Sequence, residues 1–414
     1  MPTTAPGPTA NPLSGQLKPF QSSPLSYLTE VHREYGDVVR LRLWPHVVHL
    51  VCHPDDIRHV LVTHADNFHD LTAAGLRGVA PKHLQGRALD TAAGHMVTAT
   101  SRMLDRWTQQ PQDVPLDLAR EMRVVALDAL GRSVFGVGSS SQLTDLELDL
   151  EVASRFTAPH RSLSLMQRLE RSRDGVDVGV DTAVAALRSF ARDVIDRHRT
   201  RTDSGSLIAQ LVSGGDDDET VASLLALLIA GHESTASALT WTLLLLAADP
   251  SERAKVTDEL DRELQGRPPR LDELPRLRRT RMALQEAMRL FPPVWLLAPR
   301  TVRRDDEIRG YALASGSVVI VSPWVTHRDA ALWPDPDAFD PERFADAAPS
   351  GYMPFGAGPW GCVGTQFGMT EARIVLAMVL QRFVVERHAT GPLEADPRSA
   401  LWPTDALAVV SARR

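Results

Sequence analysis

The sequence predicts a mainly helical protein with a small β region. Apolar residues recur at helical spacing over long stretches, whereas runs with the alternation of a strand are short and few. The longest helical pattern, residues 219–248, is almost continuously apolar and therefore predicts a helix inside the core. Further helices are predicted over residues 88–107, 117–135, 181–199, 276–290 and 363–383.

The N-terminal elements can be taken in chain order. Residues 1–24, rich in Pro, Thr, Gly and Ser, predict a flexible lead-in. They lack the basic stretch and apolar run of a signal peptide. The elements that follow are a helix over residues 25–35, the two strands of a hairpin over 37–43 and 47–52, and a short helix over 54–63.

The long apolar helix meets the length that a membrane-spanning helix needs. His232 and Glu233 lie mid-span and no anchoring belt flanks it, so a buried core helix is predicted and no membrane association. Acidic residues at 216–219 suit the start of the helix dipole. The Asp-Pro pair at 249–250 ends the helix.

Short strands and turns are predicted in the C-terminal third. Pro292 and Pro293 stop the helix at 276–290. Strand-like runs of a few residues come next, and several prolines then stiffen an irregular segment before the final helix. The predicted strands cover residues 301–303, 306–311 and 317–321.

Composition and charge exclude several classes of function. The 414 residues are enough to bury a large core. A formal net charge of −7, without a basic tract, argues against nucleic acid as a partner. The chain has two cysteines, Cys52 and Cys362. A disulfide scaffold is therefore not expected, and a reducing cytoplasm fits.

Cys362 stands in a glycine-rich loop, residues 355–364 (FGAGPWGCVG), directly before a predicted helix. A thiolate there would face backbone N–H groups and the positive end of the helix dipole, which suits a sulfur ligand of iron. The glycines Gly356, Gly358 and Gly361 also spell the dinucleotide pattern G-x-G-x-x-G, but no clear strand precedes them and a proline interrupts the turn. A buried structural cysteine is the third interpretation. The loop alone leaves all three open.

Three other segments accompany this loop. They are AGHEST at 230–235, the pair Glu286 and Arg289 spaced to meet on a helix, and PERF at 341–344. In this order and at these separations, the four motifs resemble the cytochrome P450 family of haem-thiolate monooxygenases over most of the chain. The resemblance implies one large, mainly helical domain, residues 25–414, with the cytochrome P450 fold and bound haem b.

The resemblance assigns roles in cofactor binding. Cys362 occupies the position of the axial iron ligand, whose thiolate favours O–O cleavage. Arg300 matches the residue whose guanidinium binds a haem propionate, and a bidentate arginine suits that task. The loop positions around the sulfur are occupied by Phe355, Gly356, Gly358, Trp360 and Gly364.

The resemblance also implies a proton relay on the long helix. The family delivers protons to bound oxygen through an acid followed by an alcohol, and Glu233 and Ser234 occupy those positions, with Thr235 next. Serine keeps the donor and acceptor of the more usual threonine but lacks its methyl group. A polar notch satisfied by the helix itself is the alternative. His232 is expected to pack or bond locally.

A buried ion network is implied behind the cysteine loop. Glu286, Arg289 and Arg343 match its members, and their role would be structural. Removing one partner would leave an unpaired buried charge, at a cost of about 3–5 kcal/mol. His327 is typical of the family and is assigned no catalytic role.

Two departures from the family concern the haem propionates. The family usually has Arg or His where this chain has Trp360, and indole offers one N–H donor and no charge. The family also usually carries a Trp or His four residues before an Arg on an early helix. Those positions fall here on Thr72 and Leu76, which cannot replace the lost donors.

The chain is also shorter than the family pattern between Phe68 and Arg77. The shortened stretch usually supplies a loop that covers the substrate, so an open pocket or an unusually large substrate is expected. His83 and Arg87 have the same H-x-x-x-R spacing. They are kept as an alternative pair of propionate ligands.

The implied activity is hydroxylation or epoxidation of an apolar small molecule. Electrons would come from a separate partner, such as ferredoxin with its reductase, because the chain has no flavin or iron–sulfur module. Similarity to soluble actinobacterial enzymes of specialised metabolism favours a terpenoid or polyketide substrate, either free or bound to a carrier protein. The alternative is a non-catalytic haem- or ligand-binding member. An NAD-dependent dehydrogenase is a remote third interpretation, because the glycine pattern lacks the strand–loop–helix context that dinucleotide binding requires.

Overall fold

The computed structural model describes residues 3–11, 15–43, 45–70, 86–111, 114–136, 146–147, 149–150, 152, 177–199 and 217–413. Helices predominate in these ranges, so the mainly helical prediction is confirmed. The α-helices are α1 (Leu17–Ser22), α2 (Pro24–Tyr35), α3 (Pro54–Arg58), α4 (Arg87–Gln109), α5 (Leu118–Ser133), α6 (Asp177–Arg199), α7 (Asp217–Ala248), α8 (Pro250–Leu264), α9 (Arg278–Leu290), α10 (Pro323–Thr326) and α11 (Thr365–Arg382).

Small β-sheets accompany the helices. The strands are β1 (Val38–Leu43), β2 (His46–Val51), β3 (Phe68–Asp70), β4 (Leu116–Asp117), β5 (Arg300–Val302), β6 (Asp306–Ile308), β7 (Tyr311–Leu313), β8 (Val318–Ile320), β9 (Phe383–Arg387), β10 (Ala395–Pro397), β11 (Leu401–Pro403) and β12 (Leu407–Ala412). The largest sheet has the order β1-β2-β8-β5-β3. Its β2 and β8 are parallel and its other neighbours antiparallel.

Helix α7 runs through the core. Its residues Leu239, Trp241 and Leu243 are at most 1% exposed, and the helix packs against α5, α9 and α11. Among the described residues, 218–248 is the helix long and apolar enough to cross a membrane, but most of its apolar window is buried by protein. The prediction of a buried core helix is therefore confirmed.

Helix α8 was missed by the sequence prediction. The Asp-Pro pair ends α7, as predicted, but it also begins α8. Asp249 is the N-cap residue, and its carboxylate accepts a hydrogen bond from the N–H of Glu252 at 3.0 Å. Pro250 occupies the first helical position, where a missing N–H costs nothing.

The N-terminal segment packs against the body of the protein. The N–H of Arg40 donates to the carbonyl of Pro6 at 2.7 Å. Phe20, on α1, is fully buried. The described part of residues 1–24 is thus packed structure where the sequence predicts a flexible lead-in, because its apolar side chains join the core beside β1. The domain boundary at residue 24 itself stays a prediction.

Two β regions differ from the sequence prediction. The single strand expected over residues 306–311 is a hairpin of β6 and β7, because Arg309 and Gly310 both adopt positive φ, at 52° and 81°, and turn the chain. The C-terminal strands β9–β12 were not predicted. Their hairpin of β10 and β11 lies against α7 and becomes important for the site described next.

Candidate active site

The cysteine loop comprises the glycine-rich segment and the two residues before it, residues 353–364, and is closed by backbone hydrogen bonds. The N–H of Gly356 donates to the carbonyl of Met353 at 3.1 Å, and the N–H of Cys362 donates to the carbonyl of Phe355 at 2.9 Å. Helix α11 begins at Thr365, three residues after the cysteine. The fold therefore presents the sulfur at the N-terminal end of this long helix, as the sequence predicts.

The Cys362 side chain is exposed to solvent. It is a free thiol with solvent-accessible surface, yet the surrounding protein raises the pKa of this thiol by desolvation. The N–H of Gly364 and the hydroxyl of Thr365 act in the opposite direction on the pKa. Binding to a metal ion deprotonates a coordinating thiol outright, and such donors around the sulfur suit a thiolate ligand of iron.

The structure shows why position 358 of the loop is a glycine, which the sequence alone does not. Gly358 has φ of +68°, and a Cβ at this position would lie 1.9 Å from the backbone oxygen of Leu61. Leu61 belongs to a π-helical turn, His59–Thr63, that packs against the loop. Gly358 therefore allows two backbone segments to meet, apart from any contact with a cofactor.

A cluster of cationic and aromatic side chains borders the loop. The guanidinium carbon of Arg300 lies 5.5 Å from the centroid of the Trp360 ring, and Arg300 is buried. The His69 ring also meets Trp360 edge to face at 6.4 Å. Arg303 Nη2 lies 3.0 Å from His69 Nδ1. Sequence reasoning missed His69 and Arg303, because the pairing of β3 with β5 brings these distant segments together.

The predicted relay residues of α7 point in different directions. Ser234 Oγ donates to the carbonyl of Ala230 at 2.9 Å and is partly exposed. Glu233 is 6% exposed and accepts a hydrogen bond from Ser399 Oγ at 2.5 Å. Thr235 is also buried, with its hydroxyl against α11, where a Cβ on Gly368 would lie 3.4 Å from it.

These contacts place the relay segment against the helix that follows the cysteine. Gly368 lies on α11 six residues after Cys362, so α7 packs on the first turn of that helix. Ser234, with the most exposed of the three side chains, is the hydroxyl best placed to meet a bound molecule. Sequence reasoning missed Ser399, because no local pattern links it to Glu233.

His232 bonds locally, as predicted. Its Nδ1 lies 2.6 Å from the carbonyl oxygen of Leu228, one turn earlier. The ring is buried, and desolvation lowers the pKa of His232. A neutral ring whose Nδ1–H donates to this carbonyl satisfies a backbone acceptor of its own helix.

The predicted ion network is present, with Glu286 and Arg289 fully buried and the Arg343 side chain 11% exposed. Arg289 makes two hydrogen bonds to the Glu286 carboxylate, at 2.7 and 2.8 Å, and Arg343 Nε lies 3.4 Å from Glu286 Oε1. Arg289 also donates to the carbonyls of His327, Pro336 and Ala338. These bonds satisfy the charges, which is what makes their burial tolerable.

His327 joins this network to the cysteine loop. Its Nε2 accepts a hydrogen bond from the N–H of Met353 at 2.9 Å. Burial, together with the charges of Arg289 and Arg328, lowers the pKa of His327 to about 3. The ring is therefore neutral at physiological pH, and Nε2 keeps the lone pair that holds the first residue of the loop.

Several predicted residues lie outside the described ranges. Thr72, Leu76, Arg77 and His83 belong to residues 71–85, and the side chain of Arg87 is likewise outside. The alternatives for binding propionates on this segment stay predictions. Within the described residues, Arg300 is the predicted propionate ligand that lies beside the cysteine loop.

The donor set fits an iron porphyrin. A sulfur that can ligate iron and a guanidinium that can bind a carboxylate lie at one loop, since Arg300 stacks near Trp360, two residues before Cys362. A cysteine in this position, ahead of the last long helix of a mainly helical fold, suits a haem-thiolate protein.

Comparison with known proteins gives the family. The cytochrome P450 family model matches residues 5–104 and 82–409. This chain belongs to the cytochrome P450 family, and it is a monooxygenase of that family. The two matched stretches overlap over residues 82–104. This overlap lies shortly after the stretch between Phe68 and Arg77, where the chain is predicted to be shorter than the family pattern.

The relatives include bacterial enzymes matched along nearly their whole length. Cyclooctatin synthase of Streptomyces melanosporofaciens is 32% identical, over 92% of this chain and 89% of its own. Cyclooctat-9-en-7-ol 5-monooxygenase of the same organism is 28% identical, with the same coverage. Pentalenene oxygenase of Streptomyces avermitilis is 25% identical, over 92% of this chain and 91% of its own.

Proposed function

We propose that this chain inserts an oxygen atom from O2 into an apolar small molecule, as a hydroxyl group or an epoxide. The observation that carries the proposal is Cys362, exposed at the N-terminal end of α11, the helix on which Thr235 of the relay segment packs. The names of the Streptomyces relatives, which refer to cyclooctat-9-en-7-ol and pentalenene, support a terpenoid in specialised metabolism. A polyketide, free or bound to a carrier protein, is the second substrate class.

In this proposal haem b is the cofactor, and the Cys362 thiolate would ligate its iron. When bound, the haem activates O2 for insertion into the substrate. The Arg300 guanidinium binds a propionate, and its stacking on Trp360 keeps the two groups at one corner of the site. The remaining residues assigned to cofactor binding are Phe355, Gly356, Gly358, Trp360 and Gly364.

The protons that the reaction consumes come through α7. Ser234 offers a hydroxyl on the exposed side of the helix, and Glu233 is the acid next to it. A hydroxyl both donates and accepts, so Ser234 can pass a proton from the protein to a bound molecule. Thr235, whose hydroxyl is buried against α11, is the second candidate for this step.

Electrons come from a separate protein, a ferredoxin with its reductase or a similar donor, and the reaction takes place in the cytoplasm. The competing function is a haem- or ligand-binding role without turnover. The first function needs an electron donor, whereas the second does not.

Haem content and turnover test the proposal together. Purified protein should hold one haem, show the red-shifted Soret band of a thiolate haem when reduced with carbon monoxide, and oxidise a cyclic terpenoid such as pentalenene when supplied with ferredoxin, reductase and NADPH. Bound haem without substrate-dependent NADPH consumption, over a panel of terpenoids and polyketides, would favour the binding role. Lack of the red-shifted band would exclude both haem-thiolate functions.

A further inference from the structure

Polar side chains on one face of α7 hold the hairpin of β10 and β11. Ser237 Oγ and Trp241 Nε1 donate to the carbonyl oxygen of Leu401, at 2.6 and 2.8 Å. One turn earlier, Glu233 accepts the hydrogen bond from Ser399 Oγ. Positions 233, 237 and 241 recur every four residues and therefore lie on one helix face. The loop between the two strands is thus held directly against the acid of the proposed relay.

The polar groups along this contact run from the core to the surface. Glu233 is buried, whereas Ser399 is partly exposed. Next to Ser399, Arg398 forms an ion pair with Asp396 at 2.7 Å, and these side chains are 38% and 37% exposed. Ser399 therefore bridges a buried carboxylate and a wet, charged part of the hairpin.

We propose that Ser399 connects Glu233 to solvent as the outer member of the proton relay. The Ser399 hydroxyl gives its proton to Oε2 of Glu233, and its oxygen takes a replacement proton from water on the surface side. One proton enters and one leaves, so the serine ends as it began. The inference rests on the proposed function, in which Glu233 and Ser234 feed protons to the site. Ser399 acts through Glu233 and is a positioning residue.

Three variants separate proton delivery from simple support of the hairpin. Ser399→Ala removes the hydroxyl that bonds Glu233. Ser399→Thr restores a hydroxyl, and Ser237→Ala removes an equally small group that ties the same hairpin to the same helix but has no bond to Glu233. If Ser399 passes protons, Ser399→Ala lowers the fraction of O2 that becomes product about tenfold. The loss is not larger because a water molecule can replace part of the role of the hydroxyl. The same variant raises the solvent deuterium isotope effect. Ser399→Thr recovers most of the loss, and Ser237→Ala keeps wild-type coupling.

Infrared spectra of the resting protein test the hydrogen bond without turnover. The difference between wild type and Glu233→Gln identifies the Glu233 carboxyl band. Ser399→Ala should shift that band, whereas Ser237→Ala should leave it in place. An unshifted band, or equal uncoupling by Ser399→Ala and Ser237→Ala, would overturn the role of Ser399.

The Glu233→Gln variant tells the two proposals apart. If it uncouples the reaction while Ser399→Ala does not, the relay stands and protons reach Glu233 by another route. If Glu233→Gln couples as well as wild type, the proposed relay itself fails, whatever Ser399 does.

Discussion

The cysteine loop and the relay segment of α7 are held in place by different kinds of contact. Backbone hydrogen bonds close the cysteine loop, such as that from the N–H of Cys362 to the carbonyl of Phe355. The relay segment already has its helical backbone bonds, and individual side chains orient its functional groups. Glu233 depends on Ser399, which is 166 residues away in the chain.

This difference predicts how each region responds to mutation. Backbone bonds survive most changes of side chain, so the loop should keep its shape unless the sulfur, a glycine at positive φ or the buried network behind it is altered. The relay segment should lose function when one hydroxyl is removed, with little change in stability. The experiments below test this contrast in order of decreasing effect.

Cys362→Ala should have the largest effect. The sulfur ligand of the iron is lost, so reduced protein with carbon monoxide should no longer show the red-shifted Soret band, and product formation should fall below detection. Cys52→Ala is the matched control, because Cys52 is buried in the core and far along the chain from the loop. A red-shifted band that persists in Cys362→Ala would show that another residue ligates the iron.

Arg289→Met should remove the support behind the loop. The substitution leaves the buried Glu286 carboxylate with Arg343 as its remaining cationic partner. We therefore expect the free energy of unfolding to fall by about 3–5 kcal/mol. Denaturant unfolding measures the change. Arg279→Met is the control on the same helix: its ion pair with Glu342 is exposed, so the loss should be about 1 kcal/mol or less. Equal losses in the two variants would mean that burial does not set the strength of the network.

Ser234→Ala should change chemistry without changing stability. Haem and substrate should bind as in the wild type, but O2 should be diverted to peroxide and product formation should fall about a hundredfold, a typical contribution of a general acid or base. Ser234→Thr should retain the activity. Peroxide and product measured against NADPH consumed give the coupling. Undiminished coupling in Ser234→Ala would transfer the role to Thr235.

Arg300→Ala and Trp360→Arg should move haem retention in opposite directions. Trp360 supplies no charge, so wild type should hold haem less tightly than relatives with the full set of cationic ligands. A hydrogen bond to a charged group is worth about 1.5–3 kcal/mol, so Arg300→Ala should lose haem about ten to a hundred times faster. Trp360→Arg should slow the loss.

Transfer of haem to an apo-globin acceptor measures these rates. Slow loss from wild type together with an unchanged rate in Arg300→Ala would mean that other residues hold the propionates. His69, which borders Trp360, and its neighbour Arg303 would then be examined first, followed by His83 and Arg87.

The sequence by itself determined the elements that depend on local spacing. The apolar repeat of α7, the hairpin of β1 and β2 and the cysteine ahead of α11 can all be read within windows of a few turns, because helix and strand periods are local properties. The spacing of Glu286 and Arg289 also predicted their contact, since residues three apart on a helix are neighbours.

Only the tertiary structure decided which side chains complete the site. The bond of Ser399 to Glu233, the approach of Leu61 to Gly358 and the position of His69 beside Trp360 join segments far apart in the chain. The packing of α7 on α11 likewise separates the exposed hydroxyl of Ser234 from the buried one of its neighbour. Such contacts depend on how helices and sheets pack, and a local pattern carries no information about them.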